Sequence, residues 1–411
     1  MRILHHLFLG LAILLWGTAV AVGQDRFGFA QCDPCEPVMD PCDPCGGFSH
    51  RHFSNPFTFG GWIDMGVYTN AHGYNNNGPM LTSSKRRTDV VMNQLYFFTE
   101  KELDTRRGWD WGARADFVYG AHAGSMQTYD GTFDYEWGQN KHGYSMSAYK
   151  LYGELGYQNL SVRAGKFVTP IGWEASASKD NFFYSHSYCY MIEPATHMGV
   201  LATYELSDRF SFSAGWVTGE DASFKNPDNG RGILTGFDYS LSDNATVYYW
   251  IGAGKQRRDW GYFGIDGSVM TDYFIQSICL EWEVTDRFTY VLQYNLRNDS
   301  VKGEGNASAY GINNHFLYKL NEQWRAGMRF EWLRENNFGY ILDDTGNDFY
   351  QLTWGLNWTP YKNVSIRPEI RYDWVKGGGK LFGPSDTFGG YPVSGLRSTQ
   401  LSGGCGVVVS F

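Results

Sequence analysis

Arg325, Arg329 and Glu331, and again Arg367, Glu369, Arg371 and Asp373, recur at every second position of two short segments, RAGMRFEW and IRPEIRYDW. Residues two apart share a side of an extended chain, so each segment presents one charged face and one apolar face. A row of fixed charges does electrostatic rather than covalent work. It pairs internally to stiffen a wall, or it selects ions at an opening; the pattern supports both equally. Asp110, Arg114, Asp116, Lys150, Glu154 and Arg163 form a similar mixture nearer the N-terminus. A further set, Glu174, Lys179, Asp180, His186 and Glu193, lies between Thr169 and Thr196 among aromatics and prolines, where no alternation is visible. If that acidic stretch faces the arginines across an opening, the two set a transverse field. Replacing Arg329 and Arg371 with neutral residues should then shift a reversal potential toward cations.

Covalent chemistry has little to stand on. The chain has no GxSxG elbow, no HExxH helix and no complete P-loop. Ser185, His186 and Ser187 are neighbours, but neighbours in an extended segment point to opposite sides and do not make a nucleophile–base pair. Cys32, Cys35, Cys42 and Cys45 form two CDPC copies and are candidate metal ligands, with His50 and His52 close by. The linker between the copies is shorter than a usual zinc-ribbon loop, and an exported segment meets oxidising conditions, so disulfides compete with metal. The chain as a whole calls for no cofactor.

The charged faces need elements to position them. Across 411 residues the hydrophobic fraction is 43% and the aromatic fraction 17%, yet mean hydropathy is −0.39, so apolar residues are dispersed among polar ones. Beyond the N-terminus no stretch approaches the roughly 20 apolar residues of a membrane-crossing helix, whereas alternating runs of about 9–11 residues recur. About sixteen candidate strands begin near Phe57, Val90, Gly108, Ser147, Leu160, His197, Arg209, Gly232, Ala245, Asp272, Phe288, Ala309, Trp324, Phe349, Val364 and Arg397. Short turns and long Gly-rich loops alternate between them. The expected fold is all-β: an antiparallel transmembrane β-barrel of about 16 strands with short periplasmic turns, long extracellular loops, apolar residues toward lipid and charges toward the lumen. Residues 1–21 read as a signal peptide, with Arg2, an apolar core and Ala19 and Ala21 in an A-x-A relation. Residues 22–56 read as a Cys-rich periplasmic tail and 57–411 as the barrel. A net charge of −9 without a basic cluster argues against a nucleic-acid partner.

MNQLYFFTEKEL (Met92–Leu103), WGARADFVYG (Trp111–Gly120), RAGKFVTPIGWE (Arg163–Glu174), NFFYSHSY (Asn181–Tyr188), AGWVTGED (Ala214–Asp221), MRFEWLRE (Met328–Glu335) and IRPEIRYDW (Ile366–Trp374) occur in this order. The sequence thereby resembles the OmpL-like β-barrel porin family over most of 57–411, with a fainter likeness to phosphate-selective porins. The double CDPC tail lies outside that pattern. The resemblance implies an outer-membrane channel for passive diffusion of small hydrophilic solutes or ions in a Gram-negative-type envelope. It allows a homotrimer and leaves the solute open. Outer-membrane lipids would surround the barrel, the terminal Phe411 would address the barrel-assembly machinery, and the third long loop would fold inward. Two other classes fit an alternating all-β chain: a barrel-anchored tethering protein and a secreted carbohydrate-binding protein.

Overall fold

A strand with one apolar and one charged face is stable where hydrocarbon lies on one side and water or polar partners on the other. Lipid tolerates no unpaired strand edge, so such strands must close into a ring. The computed structural model describes residues 56–411 apart from 75–76, 79–87, 130, 141, 227–228, 260–267, 304, 337–340, 342–345, 384–386, 389–390 and 393–396. Residues 1–55, with the expected signal peptide, nearly all of the tail and Cys32, Cys35, Cys42 and Cys45, lie outside the described residues.

The first fifteen strands are β1 (Thr58–Asn70), β2 (Val91–Lys101), β3 (Trp109–Gly120), β4 (Ser145–Tyr157), β5 (Leu160–Val168), β6 (Thr196–Ser207), β7 (Phe210–Glu220), β8 (Arg231–Ser242), β9 (Ala245–Asp259), β10 (Ser268–Thr285), β11 (Phe288–Val301), β12 (Gly305–Lys319), β13 (Trp324–Asn336), β14 (Asn347–Tyr361) and β15 (Val364–Lys376). A small hairpin, β16 (Thr387–Phe388) and β17 (Tyr391–Pro392), sits in the last long loop before β18 (Thr399–Ser410). Sixteen strands, β1–β15 and β18, form a closed barrel in which β18 pairs antiparallel with both β15 and β1. Every expected strand is present, each starting within four residues of its expected position. One detail differs. β12 begins at Gly305, four residues before its expected start at Ala309, and the connection from β11 on the long-loop rim is only 302–304.

The faces follow the pleat. Trp109, Trp111 and Phe117 of β3 and Ile370 and Tyr372 of β15 are exposed outward, while Asp116, Arg371 and Asp373 are buried on the inside. Aromatic pairs gather at the strand ends, including Trp109 with Tyr157 (5.0 Å), Trp324 with Trp358 (5.5 Å) and Tyr350 with Trp374 (5.1 Å). Such rings suit the two membrane interfaces, where one edge is apolar and the other wet. Phe411 also faces outward, and its backbone exchanges two 2.9 Å hydrogen bonds with Gly61. Among the described residues no helix is long and apolar enough to cross a membrane, and Cys189, Cys279 and Cys405 form no disulfide.

Candidate functional site

The third long loop, residues 169–195 and here L3, is rooted between β5 and β6 and lies inside the barrel. At its root Thr169 N donates to Ala195 O at 3.1 Å. Asp221, just past β7, accepts from the N–H groups of Ala195 (3.1 Å) and Thr196 (2.7 Å). The two limbs meet at Gly172, whose φ is +92° and whose Cβ, if it had one, would run into the Glu193 carboxylate. Beyond that contact Trp173, Phe182, Phe183, Tyr184, Tyr188 and Ile192 are all buried.

A loop taken out of water carries peptide groups that no strand pairs, and each costs free energy unless something bonds it. The lumen-facing charges of β13 and β15, on the far side of the ring from β5 and β6, do that here. Arg329 donates to Ser185 O (2.8 Å), Arg371 to His186 O (2.5 Å), and Arg367 to Ser178 O (2.5 Å) and Asn181 O (3.0 Å). The acids take the N–H groups. Glu369 accepts from Tyr184 N (2.8 Å) and Ser185 N (3.2 Å), and Glu331 from Tyr188 N (2.7 Å) and Cys189 N (2.6 Å). The last pair are orphan donors at the start of the single helical turn α1 (Tyr188–Met191), whose other cap is Ser187 Oγ. Asp373 accepts from Tyr188 OH (2.8 Å) and pairs with Arg371 (2.8 Å).

Glu174 is the loop's own contribution. Its carboxylate meets Arg329 at 2.6 Å, accepts from Ser187 N at 2.9 Å and lies 3.2 Å from His186 Nδ1 and 3.7 Å from His315. Burial opposes its ionisation, but Arg329, followed by the two imidazoles, holds the carboxyl well below the usual range. Glu193 has no such cation among the described residues. Gln293 and Asn295 donate to it, both at 2.5 Å, yet burial and the nearby Glu174 push its pKa well above the usual value. The two acids of one loop are therefore driven apart by their surroundings.

The remaining expected residues lie elsewhere. Arg114 bridges Glu100 (2.7 Å) and Asp116 (2.8 Å), Lys150 approaches Asp116 at 3.5 Å, and Arg163 pairs with Glu154 at 2.6 Å; all line β2–β5. Tyr96 OH also donates to Asp116. Lys179 and Asp180 pair with each other at 3.3 Å in the turn of L3, where the Lys179 ammonium sits 5.4 Å from the Trp62 ring. Arg325 is half-buried at the start of β13. Sequence reasoning passed over Gln94 and Arg297. Gln94 Oε1 accepts from Ser178 N (3.1 Å) and Trp62 Nε1 (3.0 Å) while its amide donates to Ser176 O (2.7 Å). Arg297 donates to Ile192 O (2.8 Å) and pairs with Glu220 (2.6 Å). Both are polar residues of lumen-facing strand stretches, which was the available signal.

Comparison with known proteins agrees with this geometry. The family described as "Putative beta-barrel porin-2, OmpL-like" matches residues 56–411. Among solved structures, the chain resembles OmpT of Vibrio cholerae in its trimer form, at 12% identity and TM-score 0.58, over 86% of this chain and 99% of that one. It also resembles the anion-selective porin of Comamonas acidovorans, at 10% identity and TM-score 0.57, over 86% and 99% of the two chains. The outer membrane channel DcaP of Acinetobacter baumannii matches at 10% identity and TM-score 0.57, over 86% and 97%. At such identities the shared property is the fold. Among curated proteins no sequence matches. The family match spans the whole closed barrel, and the chain belongs to this OmpL-like family of β-barrel porins, channel proteins of the Gram-negative outer membrane.

Proposed function

We propose that the chain is a water-filled channel for passive diffusion of small hydrophilic solutes and ions, without covalent chemistry, and that its narrowest passage runs between L3 and the wall of β2–β5. A contrast in water contact carries this reading. The side chains of Arg163 and Lys150 keep 29% and 18% exposure and Lys179 on the facing turn keeps 43%, whereas Arg329 and Arg371 keep 1% each. Charges that touch water can act on a passing solute; dry ones cannot.

The wall is close to balanced. Lys101, Arg114, Lys150 and Arg163 stand against Glu100, Asp110 and Glu154, the buried Asp116 beneath Arg114 and Lys150 offsets part of their charge, and Lys179 stands against Asp180. Charged rings select by their net sign, so a balanced ring discriminates by size more than by charge. Proteoliposomes should swell in monosaccharide solutions, and planar bilayers under a potassium chloride gradient should give a reversal potential near zero. Absence of both swelling and current would overturn the channel and leave a barrel that serves only as an anchor. A strongly cation- or anion-selective potential would refute the balanced wall.

The trimer form of the Vibrio cholerae relative supports assembly of three barrels. Cross-linking in mild detergent should then stop at three copies; a ladder ending at one would refute it. The outward-facing Phe411 suits the role of contact for the barrel-assembly machinery, and Phe411→Ala should lower the yield of inserted barrel.

A further inference from the structure

L3 crosses the lumen to reach its dock, and what it meets there is bare backbone. Phe182, Phe183 and Tyr184 come against four glycines of the opposite wall. A Cβ at Gly355 would stand 3.0 Å from Phe183 Cε1, one at Gly327 2.8 Å from Phe182 Cζ, one at Gly406 2.6 Å from Tyr184 Cδ2 and one at Gly66 2.6 Å from Tyr184 Cζ. These distances lie inside the 3.5–4.0 Å optimum for carbon atoms, so a side chain at any of the four displaces the aromatic ring it meets, least at Gly355.

The glycines are in register. Gly327 pairs with Gly355 across β13 and β14, and Gly406 with Gly66 across β18 and β1. The strand between the two pairs is β15, whose Arg367 and Glu369 bond the backbone of the same turn of L3. Some lumen glycines serve a neighbouring strand instead: Gly404 gives way to Tyr68, which lies on β1, the strand beside it. The four facing L3 accommodate aromatics more than a hundred positions away in the chain, so local sheet geometry does not account for them.

We infer that Gly66, Gly327, Gly355 and Gly406 form a seat for the aromatic tip of L3 and, by fixing how far the loop reaches across the lumen, set the width of the passage left on the β2–β5 side. This rests on the channel reading above. The glycines are positioning residues: they touch the loop and not the solute. Filling the seat pushes the tip back toward the lumen axis or releases it. A released tip frees the interior of a sixteen-strand barrel, which without an obstructing loop encloses an aqueous channel.

The test uses the full chain refolded into planar bilayers, with folding checked by the heat-dependent gel shift. Gly355→Leu and Gly327→Leu are compared with wild type for single-channel conductance and for the size of polyethylene glycol that still enters. The seat predicts a conductance change of about twofold or more, with a matching change in size cut-off, because the loop is the obstruction in an otherwise wide barrel. Phe183→Ala and Tyr184→Ala probe the same contact without touching the wall and remain available if a glycine variant fails to fold. Combining Gly355→Leu with Phe183→Ala should return conductance toward wild type, since the new side chain fills the space the ring left. A merely destabilised barrel would not show that recovery. If wild type conducts and the folded variants match it in conductance and cut-off, the seat is wrong and the channel reading survives. If wild type is silent and the variants conduct, the seat stands and the open channel is wrong. If none conducts, both fall.

Discussion

The charges on β13 and β15 and those on β2–β5 are the same kinds of residue at the same alternate spacing, yet they do different work. On β13 and β15, Arg329, Glu331, Arg367, Glu369 and Arg371 are spent on the peptide groups of L3 and are closed to water. On β2–β5, Arg114 and Lys150 pair with Asp116 and Arg163 with Glu154, and Arg114, Lys150, Glu154 and Arg163 keep contact with solvent. A lumen-facing charge is thus left in contact with water or made part of the scaffold according to what covers it. The cover is a segment distant in sequence.

The largest expected effect tests that division by stability. Arg329→Met leaves the Glu174 carboxylate and Ser185 O buried without their donor, and breaking a buried ion pair by removing one partner costs about 3–5 kcal/mol. Arg163→Gln breaks a half-buried pair that still touches water, worth about 1 kcal/mol. Heat- or urea-induced loss of the folded gel band should therefore come much earlier for Arg329→Met. Adding Glu174→Gln to Arg329→Met should recover part of the loss, because the stranded charge is then gone. Equal costs for Arg329→Met and Arg163→Gln would break the comparison.

How far the sequence reaches follows the same line. Period-two alternation made all sixteen strands legible, since register fixes each side chain's face and a slip of one residue would turn a charged face toward lipid. It also showed that Arg367, Glu369, Arg371 and Asp373 face inward. What it could not show is which inward residues are covered. L3 has no period to read; its conformation comes from individual bonds such as Gln94 to Ser178 and from the close contact of Gly172 with Glu193. The expected inward fold of the third loop came from resemblance to porins rather than from its residues. Nothing in the sequence singles out Gly66, Gly327, Gly355 and Gly406, and only the folded chain brings an aromatic to each.

Within the dry region a sharper contrast separates acids that have a cation from acids held by amides alone. Glu174 has Arg329. Asp221, which ties the exit of L3 to the end of β7, is held by Thr196 and Ala195 N–H groups and the Thr196 hydroxyl, and burial raises its pKa to about 6. A carboxyl raised in the folded state favours folding fully below its unfolded value, and the advantage is lost as pH rises through the folded value. From 3.8 to about 6 this amounts to about 3 kcal/mol, at 1.36 kcal/mol per unit. Wild type should lose apparent Tm between about pH 4 and pH 7 relative to Asp221→Asn, which keeps an acceptor oxygen and cannot ionise. Parallel pH profiles for the two proteins would show that Asp221 is solvated and that the dry region ends short of it.

The smallest effect in energy is the most direct on function. Neutralising Lys150 and Arg163 together removes two positive charges from the water-facing wall and leaves its acids in excess; the buried Asp116 keeps Arg114 as its partner, so the stability cost stays below that of Arg329→Met. L3 keeps every one of its contacts with β13 and β15, so single-channel conductance should hold near the wild-type value while the reversal potential moves toward cations. Neutralising Arg329 and Arg371 removes two positive charges as well, but from beneath the loop, where they bond Ser185 and His186 carbonyls. Any change in selectivity there should arrive only together with a change in conductance, because the loop must move before solvent senses the missing charge. Were the Arg329 and Arg371 variant to shift the potential at constant conductance, the dry side would be lining the pore. The passage would then have to be sought between L3 and β13–β15.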